Sequence, residues 1–316
     1  MEICNSCNRK IENFSQKNYT KSSKRYNWIH DSTVRLAGIN DCDVFYGYCF
    51  NCFHTSILPR FNTNKLYQEK RGFTERKKAY EYHNPGKIYG KSKNSQMQSG
   101  DLEKIEFEFT RISNITKQIM KIINNSFDSK KIINVIDYGG GDGYLVKIIE
   151  ELINSKTNFN LGYKVNSFVH DPAYKGKNKI AKADIIILSH VLEHVHDLDN
   201  FFINLSRLTN NKTVFLIEVP DERLKLLRTV LFRKKVYFDF HVNIFTKRSL
   251  EQLFAKHGLG SQFNYKSTPY RGIRANVING IAEKKLKINS TQKLVEFFEL
   301  IKLIFSKVKI KILNSL

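Results

Sequence analysis

An acidic residue followed by alternating glycines, between residues 137 and 143, is the part of this chain best suited to bind a small ligand. The preceding β-formers predict a strand that ends at Asp137, and an apolar pattern with helical spacing begins after the last glycine. Gly139, Gly141 and Gly143 allow a close backbone approach and positive φ angles. The next helix begins with N–H donors that have no partner inside it, and Asp137 can accept a hydrogen bond from an amine or a hydroxyl. The pattern therefore predicts a ligand site between a strand and a helix.

Polar residues also follow two later predicted strands. Residues 165–169 predict a strand that leads to Asp171, and the apolar run at 183–188 predicts a strand buried on both faces. Directly after that buried strand come four polar residues: Ser189, His190, Glu193 and His194. The spacing of the two histidines suggests a metal site, but Glu193 does not stand where a zincin H-E-x-x-H motif has its acid. No third ligand is evident, so the sequence does not favour a metal there.

The acid and its glycines resemble the first motif of class I S-adenosylmethionine-dependent methyltransferases. A dinucleotide-binding G-x-G-x-x-G pattern fits poorly, because its third glycine would fall at Tyr144. Residues 189–194 are similar to the block that follows the fourth strand in a large methyltransferase family. The resemblance implies that S-adenosyl-L-methionine binds with its amino group facing Asp137 and its ribose held by Asp171. It also implies that seven residues line the cofactor and the mouth of the active site: Gly139, Gly141, Gly143, Tyr144, Ser189, His190 and Glu193.

Simpler interpretations of both cofactor motifs stay open. The glycines would also suit an ordinary turn in another α/β domain. Asp171 precedes Pro172, and an aspartate at such a position often closes a turn. We favour ribose binding at Asp171, because a carboxylate that accepts a diol is the usual solution at the end of the second strand.

The first 52 residues contain all five cysteines, four of them in two C-x-x-C pairs. Two such pairs can offer four thiolates to one Zn²⁺, here across a gap longer than usual: Cys4, Cys7, Cys49 and Cys52. A closed four-thiolate site leaves no open position for catalysis, so the predicted role is structural. A redox pair, unpaired structural thiols, or Cys42 or His54 as a substitute ligand are the alternatives.

The order of predicted elements indicates an α/β fold. A helix begins near Asp101, later helices cover 198–208 and 247–257 with Thr246 as N-cap, and later strands cover 214–220, 261–266 and 275–281. Asp184 follows Asp171 by only 13 positions, which is too short for a helix and a further strand. The resemblance thus implies a Rossmann-like class I methyltransferase sheet that is reduced around strand 3.

The sequence predicts four regions, which are a zinc-ribbon-like module at 1–60, a Tyr-rich linker and helix at 61–130, a methyltransferase domain at 131–285 and a basic amphipathic helix at 286–316. The last helix would pack or dimerise, with peripheral membrane contact as an alternative. No apolar run is long enough to span a bilayer and the N-terminus lacks the pattern of a signal peptide, so we expect a cytoplasmic protein. The formal net charge of +22 is spread along the chain, which disfavours a nucleic-acid surface without excluding it.

Together the motifs are similar to bacterial methyltransferases that act on nucleotide-linked sugars or surface-polysaccharide precursors. Carbon-methylating members have Tyr-His-Glu-His where this chain has Phe238, Asp239, Phe240 and His241, so methylation of a hydroxyl or another heteroatom fits better. We expect His241, and after it His190, to act as the general base. An RNA methyltransferase and a catalytically degenerate binding subunit are the alternative functions.

Overall fold

The computed structural model describes residues 3–14, 45–58, 99–127, 131–141, 143–157, 162–171, 182–223, 241–270 and 273–284. Several features singled out in the sequence lie outside these ranges: Cys42, the Tyr-rich linker, residues 238–240 and the C-terminal amphipathic segment. Within the described residues, no helix combines the length and the apolar character that a membrane span requires.

The described elements are ten strands, four α-helices and one 3₁₀ turn. In chain order they are β1 (Glu12–Phe14), β2 (Phe45–Tyr48), β3 (Thr55–Leu58), α1 (Ser99–Ser126), β4 (Ile132–Tyr138), α2 (Tyr144–Thr157), β5 (Lys164–His170), β6 (Ala183–Ser189), the 3₁₀ turn Leu192–His194, α3 (Leu198–Ser206), β7 (Thr209–Pro220), β8 (Asn243–Ile244), α4 (Lys247–Lys256), β9 (Gly260–Tyr270) and β10 (Ile273–Glu283).

The larger sheet has six strands in the order β5-β4-β6-β7-β10-β9. The first four are parallel, and β10 and β9 are antiparallel. From β4 the chain moves outward to β5 and then returns to β6 on the other side of β4. Strand order therefore reverses at β4, and in such sheets ligands bind beyond the carboxyl ends of the strands at this point. The predicted Rossmann-like sheet is confirmed, and in the described part of the chain no strand lies outside β5.

Alternate residues of the central strands pack into two separate apolar layers. Ile185 and Ile187 of β6 join a cluster with α1 and α2, whereas Ile186 and Leu188 join a cluster with α3 and α4. This alternation follows from the two-residue period of a strand that is covered on both faces. The apolar run from Ala183 to Leu188 is fully buried or nearly so, as the sequence predicts.

A smaller antiparallel sheet has the order β1-β2-β3-β8 and joins the N-terminal segment to the domain that contains the larger sheet. Its last strand, β8, comes from a part of the sequence nearly 200 residues after β3, and the pairs are Thr55 with Ile244 and Ser56 with Asn243. The Arg248 Nε donates to the Asn51 carbonyl over 2.7 Å. The N-terminal segment is thus fastened to the larger domain by strand pairing and by side chains.

Most predicted element boundaries lie within a few residues of the observed ones. The clearest difference is β7, which begins at Thr209 rather than near residue 214. Thr213 stabilises this extension, because its hydroxyl donates to the Ala183 carbonyl of β6 over 2.7 Å and accepts from the Asn210 amide. The predicted N-cap at Thr246 is confirmed, with a capping box to Ser249.

Replacing Thr246 by Ala is expected to destabilise the protein more than loss of a helix cap alone. The Thr246 hydroxyl accepts from the Ser249 amide and also donates to the Cys52 carbonyl over 3.0 Å. The cap is worth about 1 kcal/mol, and the second buried hydrogen bond adds about 1 kcal/mol. Urea unfolding of Thr246→Ala should show both losses.

Asp197→Ala is the matched control, because Asp197 caps α3 through the Asn200 amide and its bond is exposed. This variant should lose only the cap. Equal losses for the two variants would show that the bond from Thr246 to Cys52 does not stabilise the fold.

Candidate active site

Polar groups from four chain segments meet at the carboxyl end of the parallel strands. Asp137 is the second-to-last residue of β4, Asp171 follows β5, Ser189 ends β6 and Glu218 lies near the end of β7. Because β4 pairs in parallel with both β5 and β6, and β6 with β7, these ends share one edge of the sheet. The sequence-predicted polar residues of this region are therefore brought together by the topology.

The glycine segment forms a tight bend in which two positions can be occupied only by glycine. Gly139 and Gly143 both have a φ of +77°, and a Cβ on Gly143 would lie 2.3 Å from the Val169 side chain. The Gly139 amide donates to the His170 carbonyl over 2.7 Å, and the Gly141 amide donates to Asp171 Oδ2 over 2.9 Å. Asp171 therefore fixes the bend, a role that sequence reasoning did not foresee.

Asp137 is a buried carboxylate beneath this bend. The residue is 2% exposed, and its Oδ2 is buried and accepts no hydrogen bond. Burial raises the pKa of Asp137 to about 7, although the charge of Arg111 lowers it and the charge of Asp171 raises it further. A cation placed at this end of β4 would supply the missing partner, because an unpaired buried oxygen is unfavourable.

A second polar group surrounds Glu218 on β7. Arg111 of α1 donates from Nε to Glu218 Oε1 over 3.1 Å and from its NH2 group to Ser189 Oγ over 2.8 Å. The Ser189 hydroxyl also donates to Glu218 Oε1 over 3.1 Å. Burial alone would raise the pKa of Glu218, but the His190 and Ser189 hydrogen bonds and the charge of Arg111 outweigh it and lower the pKa to about 2. Glu218 is therefore ionised and holds α1, β6 and β7 together.

His190 lies beside Glu193 and Glu218, two carboxylates that favour its protonated form. It has a φ of +56°, and its Nδ1 lies 3.1 Å from Glu193 Oε1. Burial lowers the pKa of His190, but hydrogen bonds to Glu193 and Glu218 outweigh it and raise the pKa to about 9. An imidazole with a raised pKa is protonated more of the time near pH 7 and is then no proton acceptor, so His190 stays the second candidate for the general base, after His241.

His241 lies beside the 3₁₀ turn that follows β6. Its Nδ1 lies 3.0 Å from Glu222 Oε2, and its ring contacts the His194 ring edge-on at 4.9 Å between centroids. Glu193, in the same turn, is fully buried. Tyr144 is the first residue of α2 and packs against the apolar layer beneath the bend.

Residues 109–260 match the family model for a methyltransferase domain. These residues are a methyltransferase domain. The predicted enzyme class, an S-adenosylmethionine-dependent methyltransferase, is thereby confirmed. Arg111, the glycine bend, the polar group around Glu218 and His241 all fall inside the matched segment.

The chain is also similar to solved methyltransferase structures, and no curated protein matches it. A magnesium protoporphyrin IX methyltransferase from Synechocystis, solved with bound SAH, is 13% identical, with 68% of this chain and 96% of that chain covered and a TM-score of 0.38. A SAM-dependent methyltransferase from Methanosarcina mazei is 15% identical, with 52% and 98% covered and a TM-score of 0.36.

The four cysteines of the two pairs form one compact cluster outside the methyltransferase domain. The Sγ atoms of Cys4 and Cys52 are 3.6 Å apart, those of Cys7 and Cys49 are 3.5 Å apart, and all four lie within 4.8 Å of one another. Four thiolates at about 2.3 Å from a tetrahedral Zn²⁺ would be about 3.8 Å apart. The cluster therefore fits the predicted ligand set. His54, one of the alternative ligands, is not in the group of four, and its Nδ1 lies 3.6 Å from Cys4 Sγ and 2.9 Å from Ser6 Oγ.

Sequence reasoning missed three residues of the active-site region: Arg111, Glu218 and Glu222. Glu218 had a usable signal, because it is the only acid in the otherwise apolar run 214–220. Arg111 had no such signal in the sequence, since an arginine beside apolar helix positions is ordinarily interpreted as solvent-exposed.

Gly143→Ala is expected to destabilise the domain by about 3 kcal/mol. A positive φ costs a non-glycine residue about 1 kcal/mol or more, and the new Cβ must also displace Val169, which adds about 1–3 kcal/mol of overpacking. Urea unfolding measures the loss.

Gly162→Ala is the matched control, because Gly162 has a φ of +66° but no atom within 4 Å of an added Cβ. The control should show the backbone cost alone, and Val169→Ala should partly rescue Gly143→Ala. A loss at Gly143 no larger than at Gly162 would contradict the close packing of the bend.

Proposed function

We propose that the domain transfers a methyl group from S-adenosyl-L-methionine to a heteroatom of a small acceptor. The observation that carries the proposal is the Asp137 carboxylate, which is buried without a partner for Oδ2 directly beneath the glycine bend. The methionine end of the cofactor bears an ammonium group, which would satisfy that oxygen. The cofactor supplies an activated methyl on a sulfonium, so the chain's main tasks are to bind it and to orient the acceptor.

The residues around the bend fit the remaining parts of the cofactor. Gly139 and Gly141 bring the backbone close to the ligand, and Gly143 leads into the N-terminus of α2 at Tyr144. Asp171 is the proposed ribose contact, adjacent to the bend through its bond with the Gly141 amide. Ser189, His190 and Glu193 lie on the β6 side, where the acceptor would enter.

We propose His241 as the residue that promotes loss of the acceptor proton. Its Nδ1 faces Glu222 Oε2 at 3.0 Å, and this contact orients the ring. Taking the proton directly, as a general base, is the simplest route for a histidine near pH 7. His190 is better suited to hold Glu193 and Glu218 in place, because its Nδ1 lies 3.1 Å from Glu193 Oε1 and its Nε2 lies 3.4 Å from Glu218 Oε1.

The acceptor class that we propose is a hydroxyl, or another heteroatom, of a nucleotide-linked sugar or surface-polysaccharide precursor. The support is the resemblance of the two cysteine pairs and the domain motifs to methyltransferases of this class. An RNA acceptor is the rival favoured by the net charge of +22. A binding subunit without catalysis is the rival favoured by the short segment between β5 and β6.

Methyl transfer from labelled S-adenosyl-L-methionine to pooled nucleotide sugars, compared with RNA, tests the proposal. We expect label in the sugar pool with wild-type protein. His241→Asn should lower turnover at least 100-fold, because a positioned proton acceptor contributes 10²–10⁴-fold.

His257→Asn is the control for this experiment, since His257 lies at the far end of α4 and contacts Asp199. Label in RNA alone would replace the proposed acceptor class. Cofactor binding without transfer to any acceptor would favour a binding subunit.

Binding of SAH, the demethylated cofactor product, should strengthen as pH rises from 5 to 7. With a pKa of about 7, Asp137 is neutral in the free protein below that pH and must lose its proton to pair with the ligand's ammonium. Affinity should therefore rise about tenfold per pH unit at the acidic end and level off above pH 7.

Titration calorimetry at several pH values measures this dependence. Asp137→Asn should bind SAH weakly and without the pH dependence, because the amide does not ionise. A wild-type affinity that is constant between pH 5 and 7 would contradict the pairing of Asp137 with the ammonium.

We also propose that the thiol cluster binds one structural Zn²⁺. The protein should contain about one zinc per chain by elemental analysis, and Cys49→Ser should lower that content and destabilise the small sheet. As a control, Phe50→Ala changes an exposed side chain of the same turn, leaves all four thiols in place and should keep its zinc. Zinc retained by Cys49→Ser would contradict the four-thiolate site.

A further inference from the structure

A second group of metal-ligand side chains lies within the proposed active site. One ligand atom from each of Glu193, His194 and His241 lies within 4.8 Å of those of the other two. Two imidazoles and one carboxylate are ligands that a divalent transition metal accepts, and three protein ligands leave coordination positions for a substrate. The sequence placed Glu193 and His194 together but did not reveal His241 as the third ligand.

The carboxylate in this group has an oxygen that lacks a partner. Glu193 is 0% exposed, and its Oε1 lies 3.1 Å from His190 Nδ1. Its Oε2 is buried and accepts no hydrogen bond. A buried carboxylate oxygen without a donor or a cation costs free energy. His194 Nε2 lies 3.9 Å from Glu193 Oε1, and a metal ion that Glu193 bound through both carboxylate oxygens would remove the cost at Oε2.

The His241 imidazole is oriented as metal-bound histidines usually are. Its Nδ1 lies 3.0 Å from Glu222 Oε2. When Nδ1–H donates to a carboxylate, the tautomer is fixed and Nε2 becomes the ligand atom, which is the usual arrangement around a metal. Glu222 would therefore act as a positioning residue for His241.

The two segments that supply the ligands are fastened to each other. Asn243, which is 2% exposed, donates from Nδ2 to the Leu192 carbonyl over 3.0 Å and to the Val195 carbonyl over 2.6 Å. These bonds connect the 3₁₀ turn that carries Glu193 and His194 to the start of β8, two residues after His241. The geometry of the ligand group is thus held by buried hydrogen bonds, as a metal site requires.

We propose that Glu193, His194 and His241 bind one divalent transition-metal cation, and that its open positions hold the oxygen of the methyl acceptor. This inference rests on the proposed function for the identity of the acceptor. A cation makes a bound hydroxyl more acidic and holds it in place. The hydroxyl gives its proton to solvent, the new C–O bond forms as the C–S bond of the sulfonium breaks, and the products are a methyl ether, SAH and a proton. His241 then acts through the cation rather than as a free base.

Mn²⁺ is a suitable probe for this site in the whole chain loaded with one equivalent of zinc. Thiolates favour softer metals, whereas imidazole and carboxylate ligands accept Mn²⁺, so the cysteine cluster should not take it up. Titration followed by electron paramagnetic resonance measures free Mn²⁺. Wild-type protein should bind about one equivalent.

Three variants test the ligands, and two more test position and specificity. Glu193→Gln, His194→Gln and His241→Gln should each weaken Mn²⁺ binding at least tenfold. Glu222→Gln should weaken it less, as expected for a positioning residue. His257→Gln, at the opposite end of α4, should bind Mn²⁺ like wild type. Circular dichroism and the urea midpoint of each variant show whether it is folded.

Binding of Mn²⁺ and binding of SAH are measured separately so that the two proposals can fail separately. Folded wild-type protein that binds no Mn²⁺, or binds it as well as a folded double variant His194→Gln and His241→Gln, overturns the metal site. Methyl transfer that is unchanged by a chelator would also overturn it and would leave His241 as a direct base. Specific Mn²⁺ binding without SAH binding would support the metal site and overturn the methyltransferase mechanism.

Discussion

The parallel hydrogen bonding of β4 to both of its neighbours is the constraint on which the active-site region depends. It sets the last residues of β4, β5 and β6 at one level, with Asp137 opposite Val169 and Ile187. The glycine bend then has to turn in the narrow space between β5 and α2, which excludes side chains at its tightest points. A shift of β4 by one residue would exchange the faces of Asp137 and Ile136, and would place a carboxylate in an apolar layer.

Two acids near this edge are buried by the surrounding fold at a cost in folding free energy. Asp137 and Glu193 each have a buried oxygen that accepts no hydrogen bond, although nearby Glu218 is surrounded by donors. Glu218 shows that the same sheet can satisfy a buried carboxylate when Arg111 and Ser189 are in reach. These acids are therefore of two kinds. Glu218 holds secondary-structure elements together, whereas Asp137 and Glu193 need a ligand to supply their partners.

The features that could be predicted from the sequence are those with a local cause. The strand ending at Asp137, the buried strand at 183–188, the cap at Thr246 and the grouping of the cysteines each follow from nearby residues. Arg111 could not be placed, because its contacts with Ser189 and Glu218 depend on how α1 crosses the sheet. His241 and Glu193 were both noted, but their proximity depends on Asn243 holding a turn 50 residues earlier in the chain. The state of His190 likewise depends on Glu218, which is far away in sequence.

The small sheet explains why a cysteine cluster accompanies this domain. Its strand β8 lies between His241 and Thr246, and pairs with β3, which begins three residues after Cys52. The His54 ring stacks on Phe245 at 5.0 Å, and Thr246 bonds to the Cys52 carbonyl. The segment that presents His241 is therefore fixed from the cysteine side as well as from the larger sheet. Because β8 has only two residues, it cannot hold its position by its own pairing. Disorder in the thiol cluster should consequently also disorder the segment around His241, even though none of the four described cysteines belongs to the active-site group.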